Sequence, residues 1–241
     1  DITRLFASSI SDLLDDYFES DAMKGVLSVS GVIGTWAGPR SAGTAYVMAH
    51  HKIGDVGDGK MGAWGFPEGG MGAVTAALRD AAESFGAKVR TNTSVARILV
   101  KDGTAQGVVT SDGEEIWADV VIAATHPQIT FLQQLDAADL PADFVQDLRR
   151  WKSRSGTVKV NLALDRLPNF TADPNPKDGS IPYHLTGSME LSFSTRYVEQ
   201  AFQDAKSGKG ADGPFSDGVI PTVVDKTLAP EGVHIMSLFT Q

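Results

Sequence analysis

The 241 residues are 42 % hydrophobic and 21 % charged, which suits one large domain or two small ones with a sizeable core. Lys and Arg number 21 against 30 Asp and Glu, and the net charge of −9 argues against nucleic acid or an anionic membrane as the main partner. The absence of cysteine excludes disulfides, thiolate nucleophiles and Cys metal sites, and points to the cytoplasm.

No apolar run reaches the roughly 18 residues of a membrane helix, so no transmembrane segment is expected. Peripheral membrane contact stays open. The chain starts at Asp1, and its last stretch, "HIMSLFTQ", stops inside an apolar run. Both ends read as cut from something longer.

Ser9-Ile10-Ser11-Asp12 opens a helix, with Ser9 as N-cap and Asp12 at the third position. Ile10, Leu13, Leu14, Tyr17 and Phe18 then make one apolar stripe. "AMKGVLSVSGVIGTWAGP" reads as a short apolar helix broken by Gly31, Gly34 and Pro39. "SAGTAYVMAHHKIG" predicts another helix, ended by Gly54, and a loop, "DVGDGKMGAWGFPEGG", follows. Beyond the loop, Val74, Ala77, Leu78, Ala81 and Phe85 recur on one helical face, and Gly86 is a natural stop. Arg79, Asp80 and Glu83 fall on the wet side. A strand is expected near Ala87 to Arg90.

Two Asp-Gly turns, Asp102-Gly103 and Asp112-Gly113, lie between β-rich runs and predict a meander. Val120 to Ala124 is apolar without alternation, the pattern of a strand buried on both faces. Pro127 starts a helix, and "PADFVQDLRRW" is a further one. In "GTVKVNLALD", Val158, Val160, Leu162 and Leu164 point inward, with Lys159 and Asn161 on the other face. "PNFTADPNPKDGSIPYH" and "KSGKGADGPFSDG" read as loops. "STRYVEQAFQDAK" is a helix with Tyr197, Ala201, Phe202 and Ala205 on one side. "VIPTVV" and "HIMSLF" close the chain as strands, and the second is expected to pair with Val158 to Leu164.

Gly70-x-Gly72-x-x-Thr75 approaches a dinucleotide fingerprint, which requires a buried strand before it and an acid about 20 residues after the motif. Trp64-Gly65-Phe66-Pro67-Glu68 precedes instead, and Pro67 cannot sit mid-sheet. The segment after the helix runs into Thr91-Asn92-Thr93 without an acid. These glycines are therefore not a Rossmann turn.

The order of motifs carries more: a Pro-x-Gly-Gly-Met-Gly turn into a helix, a Gly-Ala-Lys-Val strand, "TSVARILV", a meander, then "ADVVIAATHP". This set resembles the interior of FAD-dependent oxidoreductases of the phytoene desaturase and amine oxidase superfamily. "GVIGTWAGP", "GTAYVMAHH", "GAWGFPEGGMGA" and "RSGTVKVNLALDRLPNFT" are similar to its phytoene dehydrogenase-like proteins, over essentially the whole chain. Members open with a strand–GxGxxG–helix unit for the FAD pyrophosphate and end with a second flavin motif; neither is found in these residues.

The resemblance implies a central, mainly substrate-binding fragment with an α+β fold. It divides into a helical part of the substrate domain (1–60), an element of a split FAD-binding domain carrying the glycine turn, meander and buried strand (61–127), and a substrate-domain mixed sheet with flanking helices (128–241). The whole enzyme would pass a hydride from an apolar, carotenoid- or isoprenoid-like small molecule to FAD. The fragment alone, lacking the pyrophosphate unit, is expected to hold no FAD and to be inactive. A second copy of the chain, as a homodimer, is one way to cover the Val120 strand. GDP dissociation inhibitors share the architecture without flavin, so a non-catalytic binder of prenyl groups or proteins is the alternative.

In similar proteins the glycine turn lies by the flavin, so Gly69, Gly70 and Gly72 would admit the ring closely; otherwise they serve only a tight helix entry. Val95 would hold the adenine edge through its backbone, or be a plain sheet valine. Ala124 and Thr125 end the buried strand, where ligands of α/β sheets bind; Thr125 would touch ribose or phosphate, or merely cap the helix. His126 reads as a solvated loop histidine.

Lys159 is the catalytic candidate. Amine oxidase relatives carry a lysine on a comparable strand that holds a water at the flavin; the other reading is a lysine on the wet face of its strand. Trp36, Trp64, Phe66 and Met71 would line an apolar substrate pocket, or belong to the core. Adjacent His50 and His51 point about 100° apart on a helix and cannot share one ion, so no metal site is expected. No carboxylate pair with usable spacing stands out.

Overall fold

A computed structural model describes residues 2–241 except 56, 58 and 63. Asp1, which entered the reading of the chain ends, and Ala63, within the glycine-rich loop, lie outside the described residues. The chain forms two compact units, Asp1–Ala77 with Arg154–Gln241, and Leu78–Ser153. Among the described residues no helix is long and apolar enough to cross a membrane.

The first unit begins with four helices, α1 (Ile2–Ala7), α2 (Ile10–Asp15), α3 (Asp21–Val32) and α4 (Thr44–Lys52). α2 has the expected capping box: Ser9 Oγ accepts from the Asp12 N–H, and Asp12 accepts from the Ser9 backbone N–H. Its apolar stripe is shorter than expected. Ile10 and Leu14 are buried, but the helix ends at Asp15 and Tyr17 is exposed. Thr44 Oγ1 at the head of α4 accepts the Ile10 N–H at 2.8 Å, tying α4 to α2.

Gly31 does not break α3. It is buried within the helix, where a Cβ would come 2.9 Å from both Ile10 Cβ and the Thr44 carbonyl oxygen. The glycine permits close approach of three helices, and the chain leaves the helix at Gly34, with φ of 77°.

The remainder of this unit is an antiparallel sheet in the order β4-β7-β6-β5, made of β4 (Val158–Leu164), β5 (Met189–Leu191), β6 (Ser216–Val219) and β7 (His234–Thr240). β4 pairs with β7 along its whole length, Val158 opposite Thr240 and Leu164 opposite His234, as the two alternating runs require. The sheet is antiparallel throughout, not mixed.

"VIPTVV" is not a closing strand. β6 starts earlier, in the stretch expected to be a loop, and Pro221–Val223 is a 3-10 turn; Pro221 has no N–H to give a ladder. Helix α8 (Thr195–Lys206) buries Val198 and Ala201 against Val29, Val32 and Phe215. Val198, the most buried of these on α8, was not on the expected stripe. The inward reading of β4 fails at Val158 and Leu162, which are exposed on the uncovered part of their sheet face.

Helix α5 (Gly70–Ser84) carries the chain from the first unit into the second. It has the expected length and its Gly86 stop, at φ 90°. Its apolar stripe is not covered, however: no residue of α5 is buried, and Phe85 is 90 % exposed.

The second unit holds the meander β1 (Val95–Lys101), β2 (Thr104–Thr110) and β3 (Glu115–Trp117). Asp102 and Gly103, at φ 52° and 73°, make the turn of mirror type that matches strand twist. Helices α6 (Pro127–Leu132) and α7 (Ala142–Arg150) meet through an edge-on Phe131–Phe144 contact at 5.1 Å.

Two further expected strands are not formed. Ala87 to Arg90 joins no ladder, and neither does Val120 to Ala124, whose Ile122 is 89 % exposed. An all-apolar strand gains its place from parallel neighbours and covering helices on both faces, and none of the described strands runs beside it.

Candidate functional site

Strand register builds a cavity in the first unit. Lys159 lies opposite Phe239, Asn161 opposite Ser237, Phe239 opposite Asp217, and Asp217 opposite Glu190. Side chains on directly opposed residues leave the sheet on the same face, so one face carries Lys159, Phe239, Asp217 and Glu190 in a row. That face floors a cavity of about 540 Å³. α3 and its C-cap contribute Val29 and Ile33, α4 contributes His51 and Lys52, and the segment before α5 contributes Trp64 and Phe66.

Of the residues singled out from sequence, Lys159, Trp64 and Phe66 meet here. The Lys159 ammonium lies 5.5 Å from the centre of the Phe239 ring, a cation–π distance. The side chain is exposed to solvent within the cavity. Trp64 stacks on the His51 ring at 6.2 Å. His51 Nδ1 sits 3.0 Å from the Ser30 carbonyl and 2.9 Å from that of Val47. Two carbonyl acceptors require the proton on Nδ1, which leaves Nε2 as the acceptor of the neutral ring.

Trp36 lies elsewhere, edge-on to Phe202 at 5.9 Å, and Met71 is on the exposed side of α5. Neither lines this cavity. No group of metal-ligating side chains occurs among the described residues.

The strongest electrostatic feature was not singled out from sequence. Burial, then the neighbouring Asp217 charge, pushes the Glu190 carboxyl up to about 8, with Lys52 opposing. Nothing local in "GSMELS" signals this, because the partner carboxylate comes from a distant strand.

At the glycine turn, Gly69 and Gly70 have φ of 79° and 74°, which explains glycine at both. Gly69 donates its N–H to Asp225 Oδ2 at 2.7 Å. That bond and those from Thr227 hold the Asp225 carboxyl below its ordinary value, the Thr227 hydroxyl contributing most. A Cβ on Gly72 would meet nothing within 4 Å. In the preceding loop, the Gly57 and Gly59 N–H groups are turned onto Asp55 Oδ1, at 2.7 and 3.2 Å.

In the second unit, the Val95 carbonyl accepts from Gln134 Nε2 at 3.0 Å, and Ile98 donates to the Gln134 carbonyl at 2.8 Å. Thr125 does not cap α6. His126 does, with Nδ1 accepting the Gln128 N–H at 3.2 Å, and its Nε2 meets Ser153 Oγ at 2.8 Å. The Thr125 hydroxyl pairs with that of Thr130 at 2.5 Å. Thr125 borders a cavity of about 400 Å³ with Ile98, Val100, Val121, Phe131 and Leu140. Ala124 is exposed beside it.

The chain is 40 % identical over 239 residues to mouse pyridine nucleotide-disulfide oxidoreductase domain-containing protein 2, covering 98 % of this chain and 41 % of that protein. To prolycopene isomerase 2, chloroplastic, of an Oncidium hybrid cultivar it is 27 % identical over 187 residues, 76 % of this chain and 27 % of the relative. It thus spans well under half the length of these relatives. The crystal structure of an oxidoreductase from Methanosarcina mazei superposes with a TM-score of 0.58 at 16 % identity, over 96 % of this chain and 46 % of that one, a likeness of fold. Residues 2–204 match the family described as flavin containing amine oxidoreductase, and the chain belongs to that family.

Proposed function

We propose that the chain is the substrate-binding part of an FAD-dependent oxidoreductase that dehydrogenates a largely apolar molecule of isoprenoid or carotenoid type. The observation that carries this reading is the cavity of the first unit, with Trp64 and Phe66 in its wall and Phe239 and Lys159 on its floor. Family membership weighs against the flavin-free binding protein, and relatives named for prolycopene support the substrate class. The division into a helical part (1–60), a flavin-domain element (61–127) and a sheet part (128–241) belongs to the same proposal.

Bound FAD supplies the hydride acceptor. The residues present fit it in part. Gly72 leaves open space for the edge of a ring. The Gly69 N–H is already spent on a carboxylate, and Asp225 beside it repels a pyrophosphate. The Val95 carbonyl is engaged by Gln134. The described residues therefore suit the flavin ring better than its phosphates.

The chain's own side chains have clear tasks. The aromatic walls hold an apolar substrate and exclude water. Lys159, three donors on a flexible stem, holds a water or a substrate oxygen above the sheet floor.

The test is stopped-flow flavin reduction, with a micellar isoprenoid alcohol, in the protein that carries this chain. Lys159→Met is expected to slow reduction at least about tenfold with KM within about twofold, the signature of an interaction made mainly in the transition state. Unchanged reduction returns Lys159 to a solvated strand face. A protein without flavin absorbance defeats the reading as a whole.

A further inference from the structure

The β5–β6 ladder sets Glu190 opposite Asp217, and both side chains enter the cavity. The two carboxylates differ in their donors. Asp217 Oδ1 accepts a hydrogen bond from the Ser188 hydroxyl. Glu190 is half-buried; its Oε2 is sealed from solvent and has no hydrogen-bond partner among the described residues. An ionised carboxylate is acceptor-only and needs donors or water at its oxygens. Two such groups facing across one ladder step repel, and a single proton removes the conflict. It settles on the carboxyl that lacks a donor.

Other elements facing the pair do not reverse this. α4 brings Lys52 and His51, β4 brings Lys159, and β7 brings only Ser237 and Phe239. Lys159 lies on the Phe239 ring, and the pull of Lys52 is outweighed by burial and by Asp217.

We propose that Glu190 stands in the cavity as a neutral carboxylic acid and donates a hydrogen bond to a carbonyl or hydroxyl oxygen on an otherwise apolar ligand. The proposal rests on reading this cavity as the substrate site. The ligand is then an oxygenated apolar molecule, not a bare hydrocarbon and not an anion. An anion would meet Asp217; a hydrocarbon would leave the Glu190 proton without an acceptor, which weakens binding.

Two measurements on the protein that carries this chain test this. Infrared difference spectra across a pH titration should show the carbonyl band of a protonated carboxylic acid disappearing with a midpoint of about 8. The band should be absent from Glu190→Gln and should disappear at lower pH in Asp217→Asn, where the like charge is gone. Calorimetry then compares methyl nonyl ketone with undecane, two probes of equal chain length. At about pH 6 the ketone should bind about tenfold more tightly, the worth of one neutral hydrogen bond, and should lose that lead by about pH 10 as the donor ionises.

Glu190→Gln should keep the lead at every pH, because its amide still donates, and Glu190→Leu should abolish it. A ketone lead that survives in Glu190→Leu, a lead independent of pH in the wild type, or no binding of the ketone overturns the proposal. Flavin absorbance reads separately. A colourless protein with the pH-dependent lead defeats the oxidoreductase reading alone, and a yellow protein without it defeats this one alone.

Discussion

Replacing Gly25 by alanine tests the packing that holds the first unit together. Gly25 is buried on α3, and a Cβ there would stand 2.5 Å from the Ser192 carbonyl oxygen, 2.6 Å from Ser194 N and 2.8 Å from Ser194 Cα. All three are backbone atoms, so no rotamer change relieves the overlap. Ser194 is also the N-cap of α8, with Oγ accepting the Tyr197 N–H at 3.1 Å. Moving it disturbs the helix that buries Val198 and Ala201.

Alanine gains about 1 kcal/mol of helix propensity over glycine. Overpacking costs about 1–3 kcal/mol, and the upper end or beyond applies where backbone must shift. The expected net loss is about 2 kcal/mol. With a urea dependence of about 2 kcal/mol per molar, that lowers the unfolding midpoint by about 1 M. The assay is urea unfolding followed by circular dichroism, with Gly72→Ala as the control. A Cβ at Gly72 meets nothing, and Gly72 lies in the first turn of α5, where the full interior propensity does not apply, so that variant should gain a few tenths of a kcal/mol. A Gly25→Ala midpoint equal to or above the wild type, with an unchanged slope, refutes the argument that α3 seats on the 192–194 backbone.

Other outcomes follow from the site. If Gly72 admits the flavin ring, Gly72→Ala keeps its stability yet retains FAD several-fold less well on dialysis; equal retention removes Gly72 from the cofactor site. The Glu190 carboxyl, raised from 4.5 to about 8 in the fold, binds its proton more tightly folded than unfolded. Stability should therefore be full below about pH 4.5 and fall as pH rises to about 8. Glu190→Gln removes this fall and should be the more stable protein at about pH 9. The unscreened value is about 5 kcal/mol, and with part of the side chain wet about 2 kcal/mol is expected. A constant difference across that range overturns it. The chain of 241 residues on its own should show no saturable micromolar FAD binding by calorimetry. The few net hydrogen bonds its glycine turn, Val95 and Thr125 offer are worth about 1 kcal/mol each, against about 8 kcal/mol for micromolar affinity.

Local chemistry was legible where it closes on itself. The Ser9–Asp12 capping box, the Asp102-Gly103 turn and the full β4–β7 register are each set by residues close in sequence or by alternation shared between two strands. Elements whose identity depends on cover were not. Periodicity reports that a face is apolar and says nothing about what lies on it. Hence α5 has its expected turns, yet Val74, Leu78 and Phe85 are exposed, and Val120 to Ala124 forms no ladder. Pro221 shows the opposite error: an apolar run was read as a strand although one residue in it cannot donate.

The candidate site divides in the same way. Trp64, Phe66 and Lys159 were visible as residue types that suit an apolar pocket and a water anchor, and they do meet around one cavity. Trp36 and Met71 have the same chemistry and lie elsewhere, so composition alone does not select among aromatics. Glu190 and Asp217 were invisible because neither has a partner nearby in sequence. Asp217 sat in a stretch read as loop, and only the β5–β6 register brings it across from Glu190. A carboxyl becomes chemically distinct when its surroundings shift the balance between its two forms, and here those surroundings are assembled from three strands and a helix. The feature that most specifies this cavity is thus a product of topology, and strand order is where a search for the same feature in related chains should begin.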